Sequence, residues 1–309
     1  MRAVGVQTDS EEKGDGMPAG GKPTVRSRRL GASLKRLRLN AHLDQEHAAE
    51  AVDCSTAKIS RIESGSVSAR VGDVRILLDL YGVEDVEERR RLEKLARDSN
   101  KRGWWMNFQA QYPALDRLGD FLSLETDATY IRAWQPVFIP GLLQTPDYTH
   151  ALTKANPEVL SDEAAVELVK VRQGRRQAFE ESGARFAAVI WEPALTGPMP
   201  HPAVHRDQLA HLLKMAEQPN VTLQVLPHSE WAAARVAPAF VALSYGKEAS
   251  PEVIVQDTMA NSVILEDHED MAGYLHAYEA LRSAALTPDR TLTFIRQLMS
   301  DITIENEEA

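Results

Sequence analysis

Gln45-Glu46-His47-Ala48-Ala49-Glu50-Ala51-Val52-Asp53-Cys54-Ser55-Thr56-Ala57-Lys58-Ile59-Ser60-Arg61-Ile62-Glu63 has the spacing of two short helices joined by a tight turn. Ala48, Ala49 and Val52 make one apolar face of the first helix, and Ile59 and Ile62, three apart, make one face of the second. The two faces can pack on each other, and the small Ala49 lets the axes approach at a steep angle, the geometry of a helix-turn-helix. Asp44 and Ser55 stand where a side-chain oxygen caps a helix start, and Gly65 where a left-handed residue closes one. The outer face of the second helix keeps Ser55, Thr56, Ala57, Ser60 and Arg61, with Lys58 at its shoulder. A plain hairpin in a helical bundle shares the periodicity, but its core helix would not carry this small polar and basic set.

The flanks extend the pattern. Leu30, Leu34, Leu37 and Leu39 run through an upstream helix bearing Arg28, Arg29, Lys35, Arg36 and Arg38, and Val74, Leu77, Leu78 and Tyr81 form a further apolar face downstream. Residues 28 to 82 resemble the lambda-repressor and Cro type of helix-turn-helix domain (the XRE family), which implies an all-α unit of about five helices. Asp53 departs from the Gly usual at that family's turn, yet Asp tolerates the left-handed conformation better than most residues.

Charge divides along the 309-residue chain, whose formal net charge is -10. Residues 22 to 82 hold eleven Lys or Arg against seven Asp or Glu, about +4, whereas residues 83 to 309 hold twenty-two against thirty-four, about -12. Basic charge is thus concentrated on the module that would meet phosphate. The single cysteine, Cys54, rules out an internal disulfide and any multi-Cys zinc site, and its place in the turn predicts a small buried thiol. No run of eighteen apolar residues and no hydrophobic signal region are present, so a cytoplasmic protein without membrane association is expected.

The organisation expected from these patterns is a disordered tail over residues 1–26, rich in Gly, Pro and charge; a helix-turn-helix domain with a linker helix over 27–100; a larger domain over 101–303; and an acidic tail over 304–309. Arg26 to Arg29 could follow a DNA backbone as a flexible arm. Past residue 110, helical patterns near 113–127, 146–155, 162–182, 203–217, 268–286 and 288–300 interleave with strand candidates at Thr129–Gln135, Arg185–Trp191, Val221–Leu226, Ala239–Tyr245 and Pro251–Gln256. That alternation predicts an α/β or α+β domain around a mixed sheet.

A second resemblance rests on Trp134-Gln135-Pro136-Val137-Phe138-Ile139-Pro140-Gly141-Leu142-Leu143-Gln144-Thr145-Pro146-Asp147-Tyr148 with Glu125 before it, on Arg172-Gln173-Gly174-Arg175-Arg176-Gln177, on Leu223-Gln224-Val225-Leu226-Pro227 and on the paired Trp104 and Trp105. The chain is similar here to a large actinobacterial family of regulators in which a Cro-type domain precedes an antitoxin-like (WhiJ-like) C-terminal domain of no settled activity. The resemblance implies a small protein encoded by a neighbouring gene as partner. A small-molecule effector acting through a C-terminal pocket is the alternative.

Catalytic chemistry is not expected. His201 is separated from His205 by Pro202, no second cluster completes a zinc site, and His205-Arg206-Asp207 carries Leu212 where a kinase catalytic loop needs Asn. There is no nucleophile elbow, dinucleotide fingerprint or phosphate loop, so no cofactor is expected. The acidic run Glu266, Asp267, Glu269, Asp270 reads as a helix start. Candidate ligand or partner residues are Arg172, Arg175 and Arg176, sharing a helix face suited to a carboxylate or phosphate, Gln144 and Tyr148 in the Pro-Gly loop, and Trp104 and Trp105. Against double-stranded DNA, Thr56, Ala57, Ser60 and Arg61 are assigned to base edges, and Arg36, Gln45, Ser55 and Lys58 to phosphates. A homodimer reading two half-sites is expected.

Overall fold

Apolar residues at helical spacing build the N-terminal part as five helices: α1 (Val25–Asn40), α2 (Gln45–Ala51), α3 (Thr56–Glu63), α4 (Val71–Leu80) and α5 (Val86–Asp98), all but α4 opened by a small capping residue. The chain is seen in a computed structural model that describes residues 24–99, 116–155, 162–197, 199, 201–245, 252–257 and 262–307. It separates into two compact units, residues 1–84 with 95–99 and residues 85–94 with 100–309. In the first, Leu30 and Leu34 of α1, Ala48 and Ala49 of α2, Ile59 and Ile62 of α3 and Val74, Leu77 and Leu78 of α4 form the core. Three details differ from the sequence reading. Leu39 is exposed; Cys54 is only half-buried, its thiol near the Ser55 carbonyl. The supposed arm Arg26–Arg29 is the first turn of α1, with Arg26 and Arg29 buried, because Thr24 caps the helix through the Ser27 amide.

The second unit is α/β. Its described elements run α6 (Asp116–Asp127), β1 (Tyr130–Gln135), a 3-10 turn (Gly141–Leu143), α7 (Pro146–Ala155), α8 (Asp162–Ser182), β2 (Arg185–Trp191), α9 (Pro193–Thr196), α10 (Pro202–Ala216), β3 (Val221–Leu226), a 3-10 turn (His228–Glu230), α11 (Trp231–Ala234), β4 (Phe240–Ser244), β5 (Val253–Asp257), β6 (Ser262–Leu265), α12 (His268–Ala284) and α13 (Pro288–Glu307). Asp267 caps α12 through the amides of Glu269 and Asp270, as the acidic run suggested. β6 is a strand the sequence reading missed, and α13 reaches Glu307, so the acidic tail expected from residue 304 is helical that far.

The six strands lie in the order β3-β2-β1-β4-β5-β6. β1, β2 and β3 are parallel, each joined to the next through helices as parallel neighbours require; β4, β5 and β6 are antiparallel, β4 pairing with β1 so that Ala133 sits opposite Val241. Side chains alternate across the sheet. Trp134, Phe240 and Ile254 point to one face, where Met271, Tyr278 and Leu281 of α12 complete a core. On the opposite face Phe186 meets Phe179 of α8 edge-on at 5.9 Å. Ile131 and Ala133 belong to that second face, and a cavity lies over them. Among the described residues no helix is long and apolar enough to cross a membrane.

Candidate functional site

Two places gather polar side chains on a rigid frame, and the first is the α2–α3 hairpin. Asp44 caps α2 by accepting from the amides of Glu46 and His47, and Ser55 caps α3 by accepting from Lys58 N at 3.2 Å. Between them the chain turns through Asp53 at φ 48°, the left-handed conformation allowed for at this position. α3 buries Ile59 and Ile62, while Thr56, Ala57, Ser60 and Arg61 are exposed on its other side.

A charged network beneath α3 fixes that presentation. Glu63, at the end of α3, accepts from Arg38 Nε at 2.6 Å and Nη2 at 3.0 Å, a two-pronged pair with both side chains over nine-tenths buried. Arg38 Nη1 reaches the Leu43 carbonyl at 2.8 Å, and Gln45 Nε2 donates to Glu63 Oε2 at 2.9 Å. One glutamate therefore ties α1, the following loop, α2 and α3 together, and the hydrogen bonds to it raise the Arg38 pKa further. Tyr81 stands nearby, its hydroxyl pushed up to about 12 by burial and by the Glu63 charge, with no hydrogen-bond partner among the described residues.

Close approach reinforces the network. A Cβ on Gly31 would fall 2.3 Å from the Ile62 carbonyl oxygen, so α1 crosses the end of α3 at a position only glycine can occupy. Gly65, at φ 73°, is doubly constrained, since a Cβ there would lie 2.5 Å from Arg28 Cα.

Four of the expected DNA-contact residues stand together on the exposed side of α3, namely Thr56, Ala57, Ser60 and Arg61, and Arg36 and Ser55 are also exposed. Two differ from their assignment. Gln45 spends its amide on Glu63, and Lys58 Nζ lies 3.3 Å from Asp73 Oδ2. Neither Arg38–Glu63 nor the Gly31 crossing was anticipated. The signal for the first was Glu63 itself, four residues after Ile59 and so on the apolar stripe, where a carboxylate needs a buried cation.

The second place is a cavity of about 310 Å3 on the Ile131 and Ala133 face of the sheet, walled by α6, α8 and the loop after β1. Glu125 of α6 and Arg175 of α8 face each other with both contacts, from Nε and from Nη2, at 2.8 Å. The Arg175 guanidinium lies 4.9 Å from the Phe121 ring centre and packs over Gly141, where a Cβ would fall 2.9 Å from its Nη1. Gln144 donates from Nε2 to the Ile139 carbonyl at 2.6 Å and accepts through Oε1 from Thr149 Oγ1 and from Arg172 Nη1. Gln208 of α10 clamps the same loop from behind, accepting from Thr145 N and donating to the Leu143 carbonyl, each at 2.7 Å. The Pro-Gly string is thus a braced rim.

Of the ligand candidates, Gln144, Arg172 and Arg175 line the cavity together. Tyr148 is buried beneath the loop, and burial raises its pKa. Arg176 is separated from the other two arginines: its Nη1 lies 3.3 Å from His211 Nε2, so the helix face expected to hold all three is split by the turn of α8. Burial first, and then the charges of Arg176 and Lys214, push His211 down to about 4. Trp104 and Trp105 lie outside the described residues. Among the described residues no three His, Cys, Asp or Glu side chains gather as metal ligands would. His205 is buried, with Nε2 2.6 Å from the Leu195 carbonyl.

The N-terminal helices with their exposed α3 define a helix-turn-helix protein, a DNA-binding regulator, and residues 29–92 match a helix-turn-helix domain. Residues 118–297, more than half of the chain, match the domain of unknown function DUF5753, and the protein belongs to that family. No curated protein and no solved structure matches the chain.

Proposed function

We propose that the protein is a sequence-specific transcriptional regulator that acts in the cytoplasm as a homodimer, with α3 of each copy in the DNA major groove. The observation that carries this is the two-sidedness of α3: Ile59, Ile62 and Glu63 hold it from below, while Thr56, Ala57, Ser60 and Arg61 face outward. Arg61 pairs with a guanine edge, and Ala57 or Thr56 meets a thymine methyl. Arg36, Ser55 and Lys58 contact phosphates and set the register, Lys58 exchanging Asp73 for a phosphate oxygen. Gln45 acts through Glu63 as a positioning residue.

For the C-terminal domain, the cavity favours a small-molecule effector over the small protein partner that the antitoxin-like resemblance implies. A binding role, not a catalytic one, suits its wall, since the Glu125 carboxylate is engaged by Arg175 on both oxygens. An effector that binds one state of the protein more tightly shifts its DNA affinity by that difference.

Selection of bound duplexes from random DNA by the full-length protein tests the reading. Two related half-sites about 10–10.5 base pairs apart, centre to centre, are expected. Recovery of duplexes with no shared sequence would falsify it.

A further inference from the structure

We infer that Arg176, His211 and Lys214 form a phosphate-binding site between α8 and α10, taking a phosphate group as a free ion or a monoester. It is separate from the cavity over Ile131 and Ala133 and goes beyond the effector reading. Arg176 Nη1 lies 3.3 Å from His211 Nε2, so two helices bring nitrogen groups together. Lys214 stands three residues after His211 and so on the same face of α10. Arg176 and His211 are half-buried and Lys214 is exposed, which lets a solute reach all three.

Pairing sets this cluster apart. Elsewhere in the same unit arginines meet carboxylates: Arg175 meets Glu125, Arg91 meets Glu88 and Glu252, and Arg282 meets Glu279. Arg176 and Lys214 form an ion pair with no carboxylate among the described residues, although acid outnumbers base from residue 83 onward. Glu180, one turn after Arg176, and Asp207 and Glu217, about one turn to either side on α10, are exposed and leave the two cations unmatched. His211 records these surroundings. Burial first, then Arg176 and Lys214, push it down to about 4, and no carboxylate acts in the other direction.

Donor chemistry names the ligand. A guanidinium only donates, so His211 accepts at Nε2 and keeps its proton on Nδ1. A phosphate oxygen between the two would accept from Arg176 in place of His211, and His211, taking a proton on Nε2, would become a second donor. Lys214 adds a point charge, and the Arg176 fork suits two oxygens of one anion. A phosphate group offers three acceptor oxygens and about -1.5 to -2 charges at neutral pH, which matches three donors and the two fixed charges of Arg176 and Lys214. A carboxylate has one oxygen and one charge too few.

Imidazole NMR of the full-length protein at pH 7, titrated with inorganic phosphate, glycerol 3-phosphate or acetate against chloride of equal ionic strength, is the test. The His211 signals, identified by their loss in His211→Gln, are expected to move with either phosphate at an affinity at least about tenfold above that for acetate, the low end for one further hydrogen bond to a charged group. Tighter binding of the ester supports a monoester as the ligand, and equal binding supports recognition of the phosphate group alone. Lys214→Gln, at an exposed position, and Arg176→Gln, with folding followed by circular dichroism, are each expected to weaken phosphate binding at least about tenfold. Acetate binding as tightly as phosphate overturns the phosphate class, and His211 signals that respond to phosphate no more than to chloride overturn the site. Neither result touches DNA recognition by α3 or the cavity.

Discussion

Both units of this protein contain a two-pronged arginine–glutamate pair, and they use it in opposite ways. Arg38–Glu63 lies under α3, over nine-tenths buried on both sides, and its work is to hold a convex surface outward. Arg175–Glu125 stands on the wall of a cavity, beside Arg172, and shapes a concave one. The same hydrogen bonds therefore brace a convex surface in one place and a concave one in the other, and the surroundings decide which. Beneath α3 the pair is enclosed by the helices it joins, and it positions them. Beside the cavity a second guanidinium, that of Arg172, is held by Gln144 on the same wall.

Breaking each pair should expose the difference. Glu63→Ala leaves Arg38 charged in the core and should cost about 3 kcal/mol of stability in denaturant unfolding, with DNA binding lost alongside. Gly31→Ala drives a methyl group into the Ile62 carbonyl and should cost about 2 kcal/mol by the same measurement. Glu125→Ala should cost only about 1 kcal/mol, because the freed Arg175 can be reached by water from the cavity. Equal losses for Glu63→Ala and Glu125→Ala would erase the contrast between the two pairs.

A smaller effect concerns pH. His211 is held neutral in the folded protein, near 4 against an ordinary value of 6.5, so on acidification the unfolded chain takes up its proton first. Its contribution is to lower stability progressively as pH falls from about 6.5 to about 4, and to change nothing above that window. His211→Gln should flatten the loss of thermal stability between pH 7 and pH 5 relative to the native chain; identical slopes would show that His211 is not responsible.

Local patterns carried much of this architecture, and long-range pairings carried the rest. The caps at Asp44 and Ser55, the left-handed turn at Asp53 and five of the strands are properties of short segments, and they were legible. β6 was not, because Ser262–Leu265 is four residues long and becomes a strand only against β5. The order of the sheet depends on β1 meeting β4 across more than a hundred residues, which no periodicity records. Among the candidate residues, Arg61 and Arg172 were singled out by type and helix face alone. Their supports were not: Arg38 and Glu63 are twenty-five residues apart, and Arg175 and Glu125 fifty. The split between Arg175 and Arg176 likewise follows from which neighbour each meets, Glu125 or His211.

The central claim is that α3 reads base edges through Arg61 while Glu63 holds it in place. Fluorescence anisotropy of the full-length protein on a selected duplex and its single-base variants, for the native chain and Arg61→Ala, tests this most directly. The prediction is a loss of about 1–3 kcal/mol in affinity and relaxed preference at one base pair per half-site, with unfolding stability unchanged. An Arg61→Ala protein that keeps the native affinity and the native preference at every position would contradict it.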